Sequence, residues 1–134
     1  MKSPAQFIVV DDDPTNNMVC KYMIAKVAPA VKIQLFTNPE NALASIKNEY
    51  ANTTGYMETV LFLDINMPTM SGWEFLDEVM SFPGELRSQI AIFILSSSID
   101  PEDIKRAENH PLVQKYFSKP ISKELVQTFT KVQE

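Results

Sequence analysis

Short apolar runs rich in β-branched and aromatic residues recur along the chain, at Phe7 to Val10, Ile33 to Phe36, Val60 to Leu63, Ile90 to Leu95, and Tyr116 with Phe117. Between them the apolar residues fall three and four apart: Val19, Met23 and Val27; Ala42, Leu43, Ile46 and Tyr50; Phe75, Leu76, Val79 and Met80; Ile104 and Ala107; Leu125, Val126, Phe129 and Val132. Unbroken short runs suit buried strands and a period near 3.6 suits helices, so the pattern predicts strand then helix, five times over. Parallel neighbours need crossover connections, and strict alternation supplies them, so the fold class expected is α/β with a parallel sheet and helices on both faces. A run such as I-A-I-F-I-L agrees with strands covered on both sides. Ala51 to Thr59, A-N-T-T-G-Y-M-E-T, is the longest irregular piece and reads as a surface loop.

The helix starts share a grammar. Asp13-Pro14, Asn38-Pro39 and Asp100-Pro101 each place an Asx at an expected N-cap and a proline at the first helical position. Ser71 with Gly72 opens the third helix, and Ser122 caps the last. Glu102 and Asp103 then suit the positive end of a helix dipole without further role.

Composition narrows the class. At 134 residues the chain fits one domain, 1–134, with a real core and no room for an output domain beside it. No apolar run could span a bilayer, Met1 to Ala5 does not open a signal peptide, and the lone cysteine, Cys20, is a small hydrophobe in a helical pattern. A reducing, cytoplasmic setting follows. The net charge of −5, without a basic block, gives no footprint for nucleic acid and favours a cation or a basic partner.

That acidity is concentrated in V-V-D-D-D-P, residues 9–14. Two unit charges about 5 Å apart at an effective dielectric of about 20 repel by roughly 3 kcal/mol, so such a trio calls for solvent or a counter-charge. Asp13 belongs to the cap grammar, which leaves Asp11 and Asp12 ending the first strand, while Asp64 ends the third in L-F-L-D-I-N-M-P. In open parallel sheets, ligands bind outside the carboxyl ends of the strands, at the point where strand order reverses. If the first and third strands are neighbours, about 4.8 Å apart, the carboxylates converge. Crowded oxygens suit Mg²⁺, which takes near-octahedral oxygen ligands at about 2.1 Å and keeps several waters. The fourth strand ends in L-S-S-S, supplying Ser96, and the fifth in S-K-P, supplying Lys119. Acids, a hydroxyl and a lysine can together hold a phosphoryl group, and a carboxylate can itself be the nucleophile that takes it.

V-V-D-D near the start, L-D-I-N-M-P-T-M-S-G-W-E-F-L in the middle, I-L-S-S after the fourth strand and K-P before the last helix occur in order, each at a strand end. Through them the chain resembles a response-regulator receiver domain over essentially its whole length, most closely single-domain regulators of the chemotaxis type. The resemblance implies a flavodoxin-like (βα)5 three-layer sandwich with five parallel strands in the order 2-1-3-4-5, for which the chemotaxis regulator is a named example. It implies Asp64 as phosphoacceptor and Mg²⁺ held by Asp12, Asp64 and the Asn66 backbone carbonyl, with Asp11 beside them through water. Ser96 and Lys119 would bind the phosphoryl group. Ser96 and Tyr116 would form the switch, with Tyr116 turning inward on phosphorylation and reshaping the face of the last two helices and the fifth strand. Pro120 matches a proline whose preceding bond is usually cis, and Asn66 with Ser98 sits where the family tunes phosphoryl lifetime. The implied function is regulatory rather than enzymatic: a phosphoryl group arrives from a histidine kinase or histidine phosphotransfer protein, and a downstream protein reads the change, the regulator being a monomer or a dimer formed on phosphorylation.

Two rivals fit less well. A Mg²⁺-dependent phosphohydrolase using an aspartyl phosphate wants a second carboxylate two residues after its nucleophile, where this chain has Asn66. An FMN module wants hydroxyls and amides after the first strand, where this chain has acids. Met67, Met70, Trp73 and Phe75 read as loop and core packing, with Trp73 a fluorescent reporter near the site, and His110, in E-N-H-P, reads as a solvated loop residue.

Overall fold

The computed structural model describes residues 4–130. Its elements, in order, are β1 (Gln6–Val10), α1 (Pro14–Val27), β2 (Lys32–Phe36), α2 (Pro39–Ala51), β3 (Thr59–Leu63), α3 (Gly72–Met80), α4 (Gly84–Arg87), β4 (Ile90–Ser96), α5 (Pro101–Glu108), β5 (Val113–Ser118) and α6 (Lys123–Thr130). The five strands form one parallel sheet in the order β2-β1-β3-β4-β5, as expected. Val132 lies outside the described residues.

Alternation along the strands divides the core in two. Ile8, Val10, Leu61, Leu63, Ile92 and Ile94 face α2, α3 and α5, while Phe7, Val9, Val60, Phe62, Phe93 and Leu95 face α1 and α6. The second face is aromatic: the Phe129 ring of α6 meets the Phe93 ring edge-on at 4.7 Å and the Phe62 ring at 5.9 Å. Such pairs add about 0.5–1.5 kcal/mol each beyond the area they bury.

The helices start as the cap grammar predicts. Asp13 accepts from the Thr15 amide, Asn38 from those of Glu40 and Asn41, Asp100 from that of Glu102, and Ser122 from that of Leu125. Ser71 and Glu74 form a reciprocal capping box.

Five expectations need correction. Strand then helix does not simply repeat five times, because the one-turn α4 precedes β4, anchored by buried Phe82 and Leu86. The inward face of α1 is Asn17, Cys20 and Ile24 rather than Val19, which is exposed; a buried asparagine hides that face from a count of apolar residues. Met80 is likewise exposed at the end of α3. The 51–59 segment is not all surface: α2 runs through Ala51, and Tyr56 is buried against the core, its hydroxyl accepting from Gln6 Nε2 at 3.4 Å. Finally, His110 is half-buried, its Nδ1 accepting from the Leu112 amide at 3.1 Å. Burial lowers its pKa, against the opposing pull of Asp77.

Candidate functional site

Register brings the acids together. Val10 pairs with Leu63, so the next residues of β1 and β3, Asp11 and Asp64, stand side by side, locked by the Asp64 amide donating to the Val10 carbonyl at 3.0 Å. Asp11 is 2% exposed and Asp64 6%, whereas Asp12 is exposed at the mouth. One carboxylate oxygen from each of the three lies within 4.8 Å of the others.

The fifth strand brings the counter-charge. Lys119 donates its amide to the Ser96 carbonyl at 2.9 Å, and the Lys119–Pro120 bond is cis. Its Nζ lies 2.6 Å from Asp11 Oδ2 and 3.8 Å from Asp64 Oδ2. Burial disfavours the ammonium, but its hydrogen bond to Asp11 and the charges of Asp64 and Asp11 outweigh that and raise its pKa. Burial acts first on Asp64 too, then the adjoining Asp11 charge, and together they lift its pKa from 3.8 to about 6 despite Lys119. The pocket therefore holds more negative charge than its one lysine offsets. Three convergent hard oxygen donors with that excess fit a divalent cation of the Mg²⁺ type.

The other expected residues surround this centre. Ser96 ends β4 fully buried, and its Oγ accepts from the Ser98 amide at 3.1 Å. Asn66 is exposed, and its amide approaches Asp64 Oδ1 at 3.4 Å. Ser98 is tied into the start of α5, donating to Asp103 Oδ2 at 2.7 Å and accepting from the Asp100 amide at 3.2 Å. Tyr116 lies half-buried on β5. Its ring already packs against the core, and its hydroxyl donates to the Ser98 carbonyl at 2.6 Å. Trp73 is half-buried, with the Arg106 guanidinium 4.4 Å from its ring centre, while Met67 and Phe75 are core. Cys20 is inert: burial, then Asp11, pushes its thiol up to about 12.

Two asparagines escaped the sequence reading. Asn16 Nδ2 donates to Asp11 Oδ2 at 2.8 Å, and Asn17 Nδ2 donates to the Asp11 and Phe36 carbonyls at 3.1 and 3.3 Å, binding the ends of β1 and β2. Their signal was the polar N-N pair in the first turns of a helix following the acids.

The family model for the response regulator receiver domain matches residues 7–130. Among solved structures the chain is similar to a two-component response regulator from Cytophaga hutchinsonii, at 26% identity over 96% of this chain and 95% of that one, with a TM-score of 0.84. It is also similar to a response regulator receiver protein from Dyadobacter fermentans, at 26% identity over 92% and 96% of the two chains, with a TM-score of 0.79. The CheX-CheY-BeF3-Mg+2 complex from Borrelia burgdorferi contains a chain that shares the fold, at 20% identity over 95% and 87% and a TM-score of 0.70. No curated protein matches the chain.

Proposed function

The chain belongs to the response regulator receiver domain family, and we propose that it works there as a Mg²⁺-dependent phosphoacceptor, with Asp64 taking a phosphoryl group from a phosphohistidine. The observation that carries this reading is the meeting of three carboxylates and Lys119 around Asp64 at the carboxyl ends of β1, β3 and β5.

In the proposed step an Asp64 oxygen attacks phosphorus, an O–P bond forms as the N–P bond to imidazole breaks, and the N–P electron pair stays on the ring, which leaves as neutral imidazole because its other nitrogen already carries a proton. Asp12, Asp64 and the Asn66 carbonyl would hold Mg²⁺, with Asp11 behind them. The bound ion supplies charge neutralisation for the phosphoryl oxygens. Lys119 is placed to follow the incoming charge, since its ammonium already lies between Asp11 and Asp64. Ser96 Oγ, whose lone pair takes the Ser98 amide, keeps its proton to donate to a phosphoryl oxygen. With Tyr116 already bonded to Ser98, movement of Ser96 would be felt directly by the loop between β4 and α5. The donor would be a histidine kinase or histidine phosphotransfer protein, and the output a contact with a downstream protein. Among the described residues no helix is long and apolar enough to cross a membrane; the reading takes the protein to act in the cytoplasm.

Incubation with acetyl phosphate and Mg²⁺ should add one phosphoryl group by intact mass, and a chelator should prevent it. No addition under any divalent cation would overturn the proposal. The acidic pocket makes a separate prediction. At a hundredfold excess over its Kd, Mg²⁺ should stabilise the folded protein by about 2.7 kcal/mol, a rise of several degrees in Tm. Because the Asp64 pKa is raised to about 6, the rise should be full at pH 8 and largely gone at pH 5, and Asp12→Ala should remove most of it at pH 8. An equal rise at both pH values would contradict the assignment of Asp64 to the metal.

A further inference from the structure

Asp11 is buried, and its carboxylate is held by three donors. Oδ1 accepts from the Asp13 amide at 2.9 Å, while Oδ2 accepts from both Lys119 Nζ at 2.6 Å and Asn16 Nδ2 at 2.8 Å. The second amide hydrogen of Asn16 faces Cys20 Sγ at 3.7 Å, one turn along α1, a soft and weak acceptor that leaves the Asp11 bond undisturbed. Asn16 is therefore half-buried and fixed, with its amide aimed at the oxygen that Lys119 also occupies.

Lys119 has two acidic neighbours and at present favours the wrong one for chemistry. It makes a short bond to Asp11 and lies 3.8 Å from Asp64. To neutralise a phosphoryl group on Asp64 it must leave Asp11 Oδ2. A carboxylate oxygen of a side chain that is 2% exposed is costly to leave without a protein donor. Asn16 prevents that.

We propose that Asn16 is a positioning residue that retains Asp11 when Lys119 transfers to the phosphoryl group, so that the lysine moves at low cost. The proposal deepens the phosphoacceptor reading and rests on it. It separates two properties of the pocket. Cation binding draws on carboxylate charge, which Asn16 does not change. Phosphoryl binding draws on Lys119 being released, which Asn16 governs.

The test uses the full chain, with Mg²⁺ alone and then beryllofluoride at saturating Mg²⁺, each titrated by calorimetry. Asn16→Ala and Asn16→Leu remove the donor, and alanine at that place keeps a good helix former in α1. Both variants should bind beryllofluoride about tenfold more weakly than the native protein, the size expected from an oxygen left unpaired. Their affinity for Mg²⁺ alone should stay within about twofold, since the local charge is the same. If both affinities fall together, Asn16 shapes the pocket generally and the proposal is overturned; if neither falls, Lys119 does not depend on it and the proposal is again overturned. Failure of the native protein to bind beryllofluoride would instead strike the phosphoacceptor reading itself.

Discussion

Asp64→Asn is expected to take up no phosphoryl group from acetyl phosphate and yet to melt at a higher temperature than the native protein at pH 8. The loss of uptake follows from the nucleophile: an amide oxygen does not form a stable bond to phosphorus, and no other carboxylate in the site combines burial with that place at the end of β3. The gain in stability follows from the same residue in its resting state. Its carboxyl pKa is raised from 3.8 to about 6 by burial and then by Asp11, with Lys119 only partly opposing them. The folded protein thus keeps a proton that the unfolded chain releases earlier, so stability falls as pH climbs from about 3.8 through about 6, and the penalty is complete above that. Asparagine carries no such charge. Its Tm advantage should be small at pH 4 and open fully by pH 8, measured by calorimetry without divalent cation. Uptake at the native rate would remove Asp64 from the proposed chemistry, and a Tm advantage larger at pH 4 than at pH 8 would show that relief of buried charge is not the cause.

That trade explains why the acidic site was easier to read from sequence than its supports were. Asp11, Asp12, Asp64, Ser96 and Lys119 all sit where strands end, and strand ends can be found from apolar runs alone. Asp13 could be separated from its neighbours because Asn38-Pro39 and Asp100-Pro101 repeat its capping pattern away from the acids, and its bond to the Thr15 amide is that cap. Polar residues inside the fold carry no such mark. Gln6 is fully buried in β1, donating to Thr59 Oγ1 at 2.9 Å and accepting from Gln34 at 2.6 Å, so an apolar count starts that strand one residue late. Asn16 and Asn17 look like ordinary helix surface until the partner across the turn, Asp11, is placed. Tyr56 reads as loop because its neighbours are Asn, Thr and Gly, and only tertiary packing buries it. The bond from the Tyr116 hydroxyl to the Ser98 carbonyl was illegible for a different reason: its acceptor is placed by the loop after β4.

Gly72→Ala should lower both stability and phosphoryl uptake, although local preference points the other way. Gly72 is the first residue of α3, where alanine is favoured over glycine by about 1 kcal/mol in a helix interior and its backbone is not in the left-handed region. Space decides against that preference. A Cβ at Gly72 would stand 2.7 Å from both the Asp64 carbonyl oxygen and the Ile65 Cα, and 3.0 Å from Ile65 Cγ2. Neither side can yield readily. The Gly72 amide donates to the Ile65 carbonyl at 3.1 Å, and the Ser71–Glu74 capping box fixes the first turn of α3 through bonds of 2.8 and 3.1 Å. On the other side Asp64 is tied to β1 through Val10. Forcing a methyl group into such a contact costs about 1–3 kcal/mol, which exceeds the helix preference, so a net loss of about 1 kcal/mol and a Tm lower by about 3 °C are expected. The strain falls on the backbone of the nucleophile itself, and misplacing a reacting group by about 1 Å can cost about a hundredfold in rate. Uptake from acetyl phosphate should therefore slow by about that factor at a temperature where the variant is still folded. Gly55→Ala provides the contrast, since nothing lies within 4 Å of a Cβ there, and both properties should stay at native values. A Gly72→Ala protein that melts higher than the native one would mean that helix preference outweighs the contact and that α3 can move away from Asp64 without disturbing it.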